Sequence, residues 1–227
     1  MRNVKMITYN RFSESGKALS SSLSLRRLKH VGSLWRPNDR SIVINWGCSN
    51  IEPYPNLRGV KFINSPDAVK VCSNKKLFYA ANEKYVPPFT TSKEEAREWL
   101  EEGKVVARYK LTGHSGKGVE IFDNLEDFDD SLLAKVYTKY IKKKHEFRVH
   151  FFVTKDGDHV HRPEIALVQQ KKKVREREEV DYQVRNHQNG WIYATQDVEL
   201  PDEVHRICME YLKYSNTLDF GAIDVMY

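Results

Sequence analysis

Val105-Val106-Ala107, Gly113-His114-Ser115-Gly116-Lys117-Gly118 and Val119-Glu120-Ile121-Phe122 follow one another in the middle of the chain. Apolar runs of strand type on both sides of a glycine-rich turn read as a hairpin. Three glycines let the backbone come close to a ligand and turn successive amide N–H groups into one concavity, which holds anionic oxygens without side chains. His114 and Lys117 add donors at the tip. The stretch suits a flap over phosphates, and it also suits an ordinary hairpin loop. It is not a Walker A loop, which needs about four residues between its first glycine and Gly-Lys-Ser/Thr. Nor does it open a helix, as a dinucleotide fingerprint does.

The surrounding chain favours an anionic partner. Lys and Arg number 37 against 31 Asp and Glu, a net charge of +6, and the pI is near 9.0. A nucleotide, a nucleic acid or an acidic peptide would each answer that balance. Much of the positive charge stands in two runs, Lys142-Lys143-Lys144 and Lys171-Lys172-Lys173-Val174-Arg175. Each run reads either as a solvated turn or strand end, or as a phosphate contact. With 40% hydrophobic residues the 227-residue chain can fill one large core or a few small ones. No stretch approaches the roughly 18 apolar residues of a membrane span. Met1-Arg2-Asn3-Val4-Lys5-Met6-Ile7 lacks the apolar run of a signal peptide, so a soluble, cytoplasmic protein is expected. Cys48, Cys72 and Cys208 have no paired spacing and read as buried thiols, not a disulfide framework or zinc site.

In chain order, Met6-Ile7-Thr8-Tyr9 reads as a strand, Ala18 to Leu28 as a helix, and Ser41 to Gly47, stopped by its glycine, and Lys61 to Asn64 as strands. This alternation implies a small α/β layer with a parallel sheet. Short helices are expected over Ala68 to Cys72 and Asn74 to Glu83, with Ser65 or Asp67 and Asn74 as caps. Ser92 to Glu95 has capping-box spacing ahead of a helix through Leu100 that Gly103 ends. Asp123 to Asp130 reads as an acidic turn, and Leu132 to Ile141 begins as a strand. In the long strand Glu146 to Val153, Glu146, Arg148 and His150 share one face and Phe147, Val149 and Phe151 the other. That charged face needs partners or a ligand, unless it is a solvated ladder. Asp156-Gly157-Asp158 reads as a hairpin turn, His159-Val160-His161 as ordinary strand rather than a metal site, and Ile165 to Gln170 as a strand. Asn189-Gly190 is a turn, Pro201 to Tyr214 a helix with Val204, Ile207, Cys208, Tyr211 and Leu212 as core, and Phe220 to Tyr227 a strand with Asp224 in it.

Taken together in this order, these pieces resemble the ATP-grasp superfamily, most closely its bacteriophage members and the glutamate ligases that modify ribosomal proteins. The likeness covers essentially the whole chain. It implies an ATP-grasp fold of mixed α+β and α/β class, with a small α/β domain over 1–66, an N-terminal α+β subdomain with the flap over 67–135, and a C-terminal subdomain over 136–227 lacking its last strand. The two subdomains would grip ATP. By this resemblance Lys75 in Ser73-Asn74-Lys75 matches the first ATP-contacting lysine, and Arg108 or Lys110 fills the place of the second, with Arg108 preferred. Gly113, His114, Ser115, Gly116, Lys117 and Gly118 form the phosphate flap. Lys139-Tyr140-Ile141 resembles the hinge that receives adenine, with Lys139 where the family has Gln or Glu. Glu146 would meet ribose hydroxyls, and Arg148 follows in the family's Glu-x-Arg spacing. Arg185 and Asn186 resemble the pair near the γ-phosphate, and Asp224 the first magnesium carboxylate.

The resemblance implies an ATP-dependent, ADP-forming carboxylate–amine (or thiol) ligase that works through an acyl phosphate, with ATP and Mg²⁺ as cofactors. Its partners would be a carboxylate donor and an amine acceptor on a peptide, a protein terminus or a modified nucleic acid. The expected surroundings are the cytoplasm, a host's if the chain is phage-encoded, without membrane, and a homo-oligomer is possible. Two other readings stand beside it. One is a non-catalytic nucleic-acid-binding module, with the glycine loop as a KH-type clamp and the lysine runs on phosphates. The other is a degenerate ATP-grasp protein that binds nucleotide without turnover.

Overall fold

The structure, a computed structural model, describes residues 3–28, 34–113, 116–156, 160–174 and 178–227. It forms two compact units, residues 1–73 with 217–220 and residues 74–216 with 221–227.

The first unit is the parallel α/β layer. It contains β1 (Val4–Thr8), α1 (Glu14–Ser22), β2 (Arg26–Arg27), β3 (Ile42–Trp46), β4 (Lys61–Ile63) and α2 (Pro66–Ser73). The sheet order is β2-β1-β3-β4, every pair parallel. Ile7, Val43, Tyr54, Leu57 and Cys48 make its core. Helix α1 differs from the expected Ala18 to Leu28. It starts early because the Ser13 hydroxyl accepts from Gly16 N–H at 3.1 Å, and Gly16 lets it approach β1, where a Cβ would lie 2.5 Å from Thr8 Cγ2. It stops at Ser22, Ser24 takes φ 52°, and Arg26–Arg27 joins the sheet edge instead. Buried Asn64, at φ 65°, binds the 217–220 segment. Its Oδ1 accepts from Asp219 N–H at 2.7 Å and its Nδ2 donates to Phe220 O at 2.9 Å.

The second unit carries two four-stranded sheets. One has the order β5-β8-β6-β7, from β5 (Phe89–Thr90), β6 (Val105–Arg108), β7 (Val119–Phe122) and β8 (Val136–Lys139), all antiparallel. Helices α3 (Lys75–Ala81), α4 (Lys93–Glu98) and α5 (Leu125–Asp130) belong with it. Its core joins Ala96, Val105, Ala107, Phe122, Phe128 and Tyr137. The Ser92 hydroxyl accepts from Glu95 N–H at 3.1 Å, as the capping box requires, but the reciprocal bond is replaced, since Ser92 N–H donates to Thr90 Oγ1 at 3.0 Å. The acidic stretch is helical rather than a turn. Asn124 Oδ1 caps Asp127 N–H at 2.9 Å, and Glu126 and Asp127 sit at the positive end of the helix dipole. The strand expected from Leu132 is ordered only where β6 pairs with it, from Val136, and Leu132 and Leu133 are exposed.

Asn74 caps α3, its Oδ1 accepting from Lys76 and Leu77 N–H at 3.1 and 3.2 Å. Asn74→Ala is expected to lower stability by about 1 kcal/mol, and Asn74→Gly by only a few tenths; urea denaturation of the three proteins measures the difference.

The other sheet has the order β11-β10-β9-β12, from β9 (Glu146–Asp156), β10 (Val160–Lys173), β11 (Trp191–Ala194) and β12 (Phe220–Met226), with helix α6 (Asp202–Tyr214). Strands β9 and β10 pair antiparallel as a long hairpin with a bulge between Ile165 and Leu167. Gly157, Asp158 and His159, expected in the turn and strand there, lie outside the described residues, as does Arg175. Phe147 and Val149 pack with Val204 and Cys208 of α6. Ile207, expected in this core, is exposed, one position off the buried stripe. Cys48 and Cys208 are buried free thiols, and Cys72 is half-buried.

Candidate functional site

Alternation along β9 leaves Glu146, Arg148 and His150 on the face opposite the α6 core. The β9–β10 register sets Gln169 beside Arg148 and Leu167 beside His150, and by continuation Lys171 beside Glu146. Tyr193 of β11 faces Lys171. On the other side, His145 and Tyr227 exchange backbone hydrogen bonds of 2.6 and 2.9 Å. Carrying that antiparallel register inward puts Asp224 opposite Arg148 and Ala222 opposite His150. One sheet face thus collects cations and carboxylates from β9, β10 and β12, with Tyr193 of β11 beside them.

Glu146 is the hub of the first row. Its carboxylate accepts from Lys143 Nζ at 3.0 Å and Lys171 Nζ at 2.7 Å, and Arg185 Nε lies 3.9 Å away. The carboxylate expected to meet ribose is therefore already held by two ammonium groups. In the second row Arg148 grips Asp224 with Nε at 2.7 Å and Nη2 at 2.8 Å, a bidentate pair. The Tyr193 ring stacks on that guanidinium at 4.2 Å. Desolvation pushes the Asp224 carboxyl up. The hydrogen bonds and charge of Arg148, with the charges of Lys171 and Lys75, more than offset this, and the carboxyl lies below its usual range. Arg148 is raised by the same bond, and burial beside Asp224 lifts the Tyr193 phenol well above its normal value.

A depressed carboxyl pKa stabilises the folded state above the unfolded carboxylate pKa of about 3.9, and the contribution fades as pH falls through the folded value. Asp224→Asn is therefore expected to destabilise at pH 7 and to approach wild type below about pH 3. Urea midpoints of the pair across that range measure it. The Asp224 side chain is 61% exposed, so solvent screening keeps the effect modest.

Arg185, expected near a γ-phosphate, is buried, and its fork is engaged. Nη1 donates to Lys144 O at 3.1 Å, Nη2 to Lys143 O at 3.0 Å, and the guanidinium stacks on Trp191 at 4.5 Å. Only Nε, buried without a hydrogen bond, points toward Glu146. Arg185 thus braces the Lys142–Lys144 turn and presents Lys143. Asn186 shapes the next turn, Oδ1 accepting from Asn189 N–H at 2.9 Å.

The flap hairpin joins β6 to β7, two antiparallel strands, which is not the helix-to-helix setting of a KH clamp. Its residues His114 and Ser115 lie outside the described ones. Gly116 and Gly118 take φ +75° and +73°. A Cβ on Gly116 would lie 2.9 Å from Val184 Cγ1 and 3.4 Å from Asn186 Nδ2, so the flap turn rests on the segment that holds Arg185. Gly113 and Lys117 are exposed, and Lys110 lies under Gly118, whose Cβ would meet its Cγ at 3.0 Å. Lys75 opens α3, and its N–H donates to Leu111 O at 2.9 Å, tying the helix start to the bend between β6 and the flap. The Arg108 side chain has a buried Nε without a hydrogen-bond partner.

At the hinge, Lys139 N–H donates to Pro88 O at 3.1 Å and Tyr140 N–H to Lys104 O at 2.9 Å. The Lys139 ammonium pairs with Glu102 and lies over the Trp99 ring, away from the charged sheet face. Exposed Ile141 leaves its backbone groups without a partner among the described residues. Tyr193 is not among the expected site residues, and Lys143 and Lys171 are expected there only as members of the two basic runs. The signal for Lys171 was present, because β10 alternates in phase with β9 once the hairpin register is known. Among the described residues no three His, Cys, Asp or Glu are arranged to hold a metal, and no described helix is long and apolar enough to cross a membrane.

No protein-family model and no curated protein matches the sequence. Solved structures do match in shape. The D-alanyl-alanine synthetase A of Vibrio cholerae aligns over 100% of this chain and 85% of its own, with TM-score 0.67 at 12% identity. An N5-carboxyaminoimidazole ribonucleotide synthetase solved with ADP aligns over 99% of this chain and 66% of its own, with TM-score 0.66 at 13% identity. A RiPP-associated ATP-grasp ligase of Chryseobacterium gregarium, solved with ADP and a leader and core peptide, aligns over 100% of this chain and 85% of its own, with TM-score 0.59 at 17% identity.

Proposed function

From its ATP-grasp fold we propose that this chain is an ATP-dependent, ADP-forming ligase that joins a carboxylate to an amine through an acyl phosphate. The supporting observation is the charged face of the β11-β10-β9-β12 sheet, where Lys143, Lys171, Arg148 and Arg185 surround Glu146 and Asp224, with the glycine flap seated on Val184 beside it. The cations outnumber the carboxylates, which suits a polyphosphate. A hydrophobic or neutral substrate would not need them.

In this reading Lys75 and Arg108 hold phosphates from the flap side, and Lys171 and Arg148 meet them from the sheet. The buried Arg108 Nε is a donor awaiting an acceptor, and a phosphate oxygen would supply one. Phosphoryl transfer asks for positioning and charge neutralisation and needs no covalent nucleophile on the protein. The substrate carboxylate takes the γ-phosphoryl group and ADP leaves. The amine then forms the C–N bond, and the C–O bond breaks as phosphate departs with its electron pair and one amine proton. The glycine flap, with Gly113, Gly116 and Lys117 exposed, closes over this step and excludes water from the acyl phosphate. Asp224 fits Mg²⁺, because its Oδ2 keeps a lone pair beyond its Arg148 bond and Mg²⁺ takes one or two carboxylates with phosphates and water. Bound there, Mg²⁺ would neutralise charge on the β- and γ-phosphates.

The basic balance and the peptide bound by the RiPP-associated ligase favour a peptide substrate. The test is to incubate the chain with MgATP, hydroxylamine and peptides ending in Glu or Asp. ADP and peptidyl hydroxamate are expected in equal amounts. Absence of both, together with no thermal response to millimolar MgATP, would overturn the proposal.

A further inference from the structure

Past the Arg148–Asp224 row, the same sheet face continues in a row that no nucleotide contact requires: Leu167, His150 and Ala222. His150 Nε2 donates to Gln169 Oε1 at 2.8 Å. An amide oxygen only accepts, so Nε2 carries the proton and Nδ1 is left as an acceptor. Nδ1 has no hydrogen-bond partner among the described residues. The ring stands one row, about 7 Å, along β9 from Arg148.

What flanks this acceptor is largely apolar, with exposed Glu164 opposite Phe152 in the next row. Leu167 and Phe152, on the His150 side of the hairpin, are exposed at 45% and 38%. Ala222, opposite His150, is exposed too and fills little space. The face thus changes along its length, from cations that suit phosphates to an imidazole bordered by Leu167, Phe152 and Ala222.

Resting on the ligase reading above, we propose that this row is the acceptor subsite, and that it binds a primary amine carrying an apolar side group, such as the amino end of an amino acid or peptide. His150 Nδ1 accepts a hydrogen bond from the amine, Gln169 fixes the ring that does so, and Leu167 and Phe152 cover the side group. An amine held there lies one row from Asp224 and Arg148, beside the place where the acyl phosphate forms. A nucleic-acid acceptor would find no cation in this row and a single aromatic ring, Phe152, in the next, so the small apolar amine is favoured.

The experiment is calorimetric titration of the chain, loaded with Mg²⁺ and a non-hydrolysable ATP analogue, with L-leucinamide, glycinamide and N-acetyl-L-leucinamide. Leucinamide is expected to bind at least tenfold more tightly than glycinamide, because the side group is removed from water, and more tightly than the acetylated compound, which has no free amine. His150→Ala and Leu167→Asp should each weaken leucinamide at least tenfold while the analogue still raises Tm. Equal leucinamide affinity in wild type and both variants overturns the subsite. So does a wild-type chain that responds to the analogue and ignores leucinamide. A wild-type chain that fails to respond to the analogue itself overturns the ligase reading instead, which keeps the two failures apart.

Discussion

The double variant Lys75→Ala, Arg108→Ala is expected to lose the thermal stabilisation that MgATP confers on the wild-type chain. A ligand that binds only the folded state at a hundred times its Kd stabilises by about 2.7 kcal/mol. For a protein of this size that corresponds to roughly 5–10 °C in Tm. Lys75 stands at the first turn of α3 with its charge felt at Asp224, and Arg108 carries a buried donor without a partner. The open Arg108 donor suits an anion, and Lys75 supplies a positive charge that reaches Asp224. Removing them takes away a point charge and a planar fork, which are not interchangeable, so the single variants should each retain part of the response. Differential scanning fluorimetry of all four proteins with and without MgATP reads the result. An undiminished shift in the double variant would remove these two residues from the nucleotide site. Because neither side chain anchors a core, the Tm without ligand should change little, and that control separates lost binding from lost folding.

Phe128→Ala is expected to destabilise the second unit by about 3–5 kcal/mol. Phe128 is 0% exposed and meets Phe122 and Tyr137 edge-on, with ring centroids 5.3 and 5.7 Å apart. Truncation removes both aromatic contacts and leaves a cavity that the two strands cannot close, since β6 holds β7 and β8 in register. Tyr137 also uses its hydroxyl to accept Ala134 N–H at 2.9 Å, so the surrounding loop is tethered and unable to collapse inward. Urea denaturation followed by tryptophan fluorescence measures the loss. A change below about 1 kcal/mol would mean that the site relaxes fully. The flap hairpin is built on these same strands, so the variant should also weaken the MgATP response.

The parallel layer, the flap hairpin and the two faces of β9 were legible from alternation, glycine spacing and caps. These are local properties, set by backbone sterics and side-chain period within a few residues. Errors fell where local and tertiary preferences compete. Arg26–Arg27 is a strand because β1 offers it an edge, and Leu132 and Leu133 are exposed because pairing with β6 begins only at Val136. The acidic stretch at 125–130 was missed for a different reason: its Asn124 cap, a local signal, outweighs its turn-like composition.

The candidate site divides in the same way. Lys75, Arg108, Arg148, Arg185 and Asp224 could be picked out one at a time, by residue type and by resemblance. Their partners could not. Arg148 meets Asp224 across 76 positions of sequence, and Lys171 meets Glu146 only when β9 and β10 lie in register. Arg185 looks like a free cation in the sequence and is a brace in the fold, because two backbone carbonyls at 143 and 144 reach it first. The sequence by itself determined which strands and charged groups this protein has. Only the tertiary structure decided which charges are paired and which donors remain open, because hydrogen bonds and ion pairs depend on distances of about 3 Å that strand register sets and residue spacing does not.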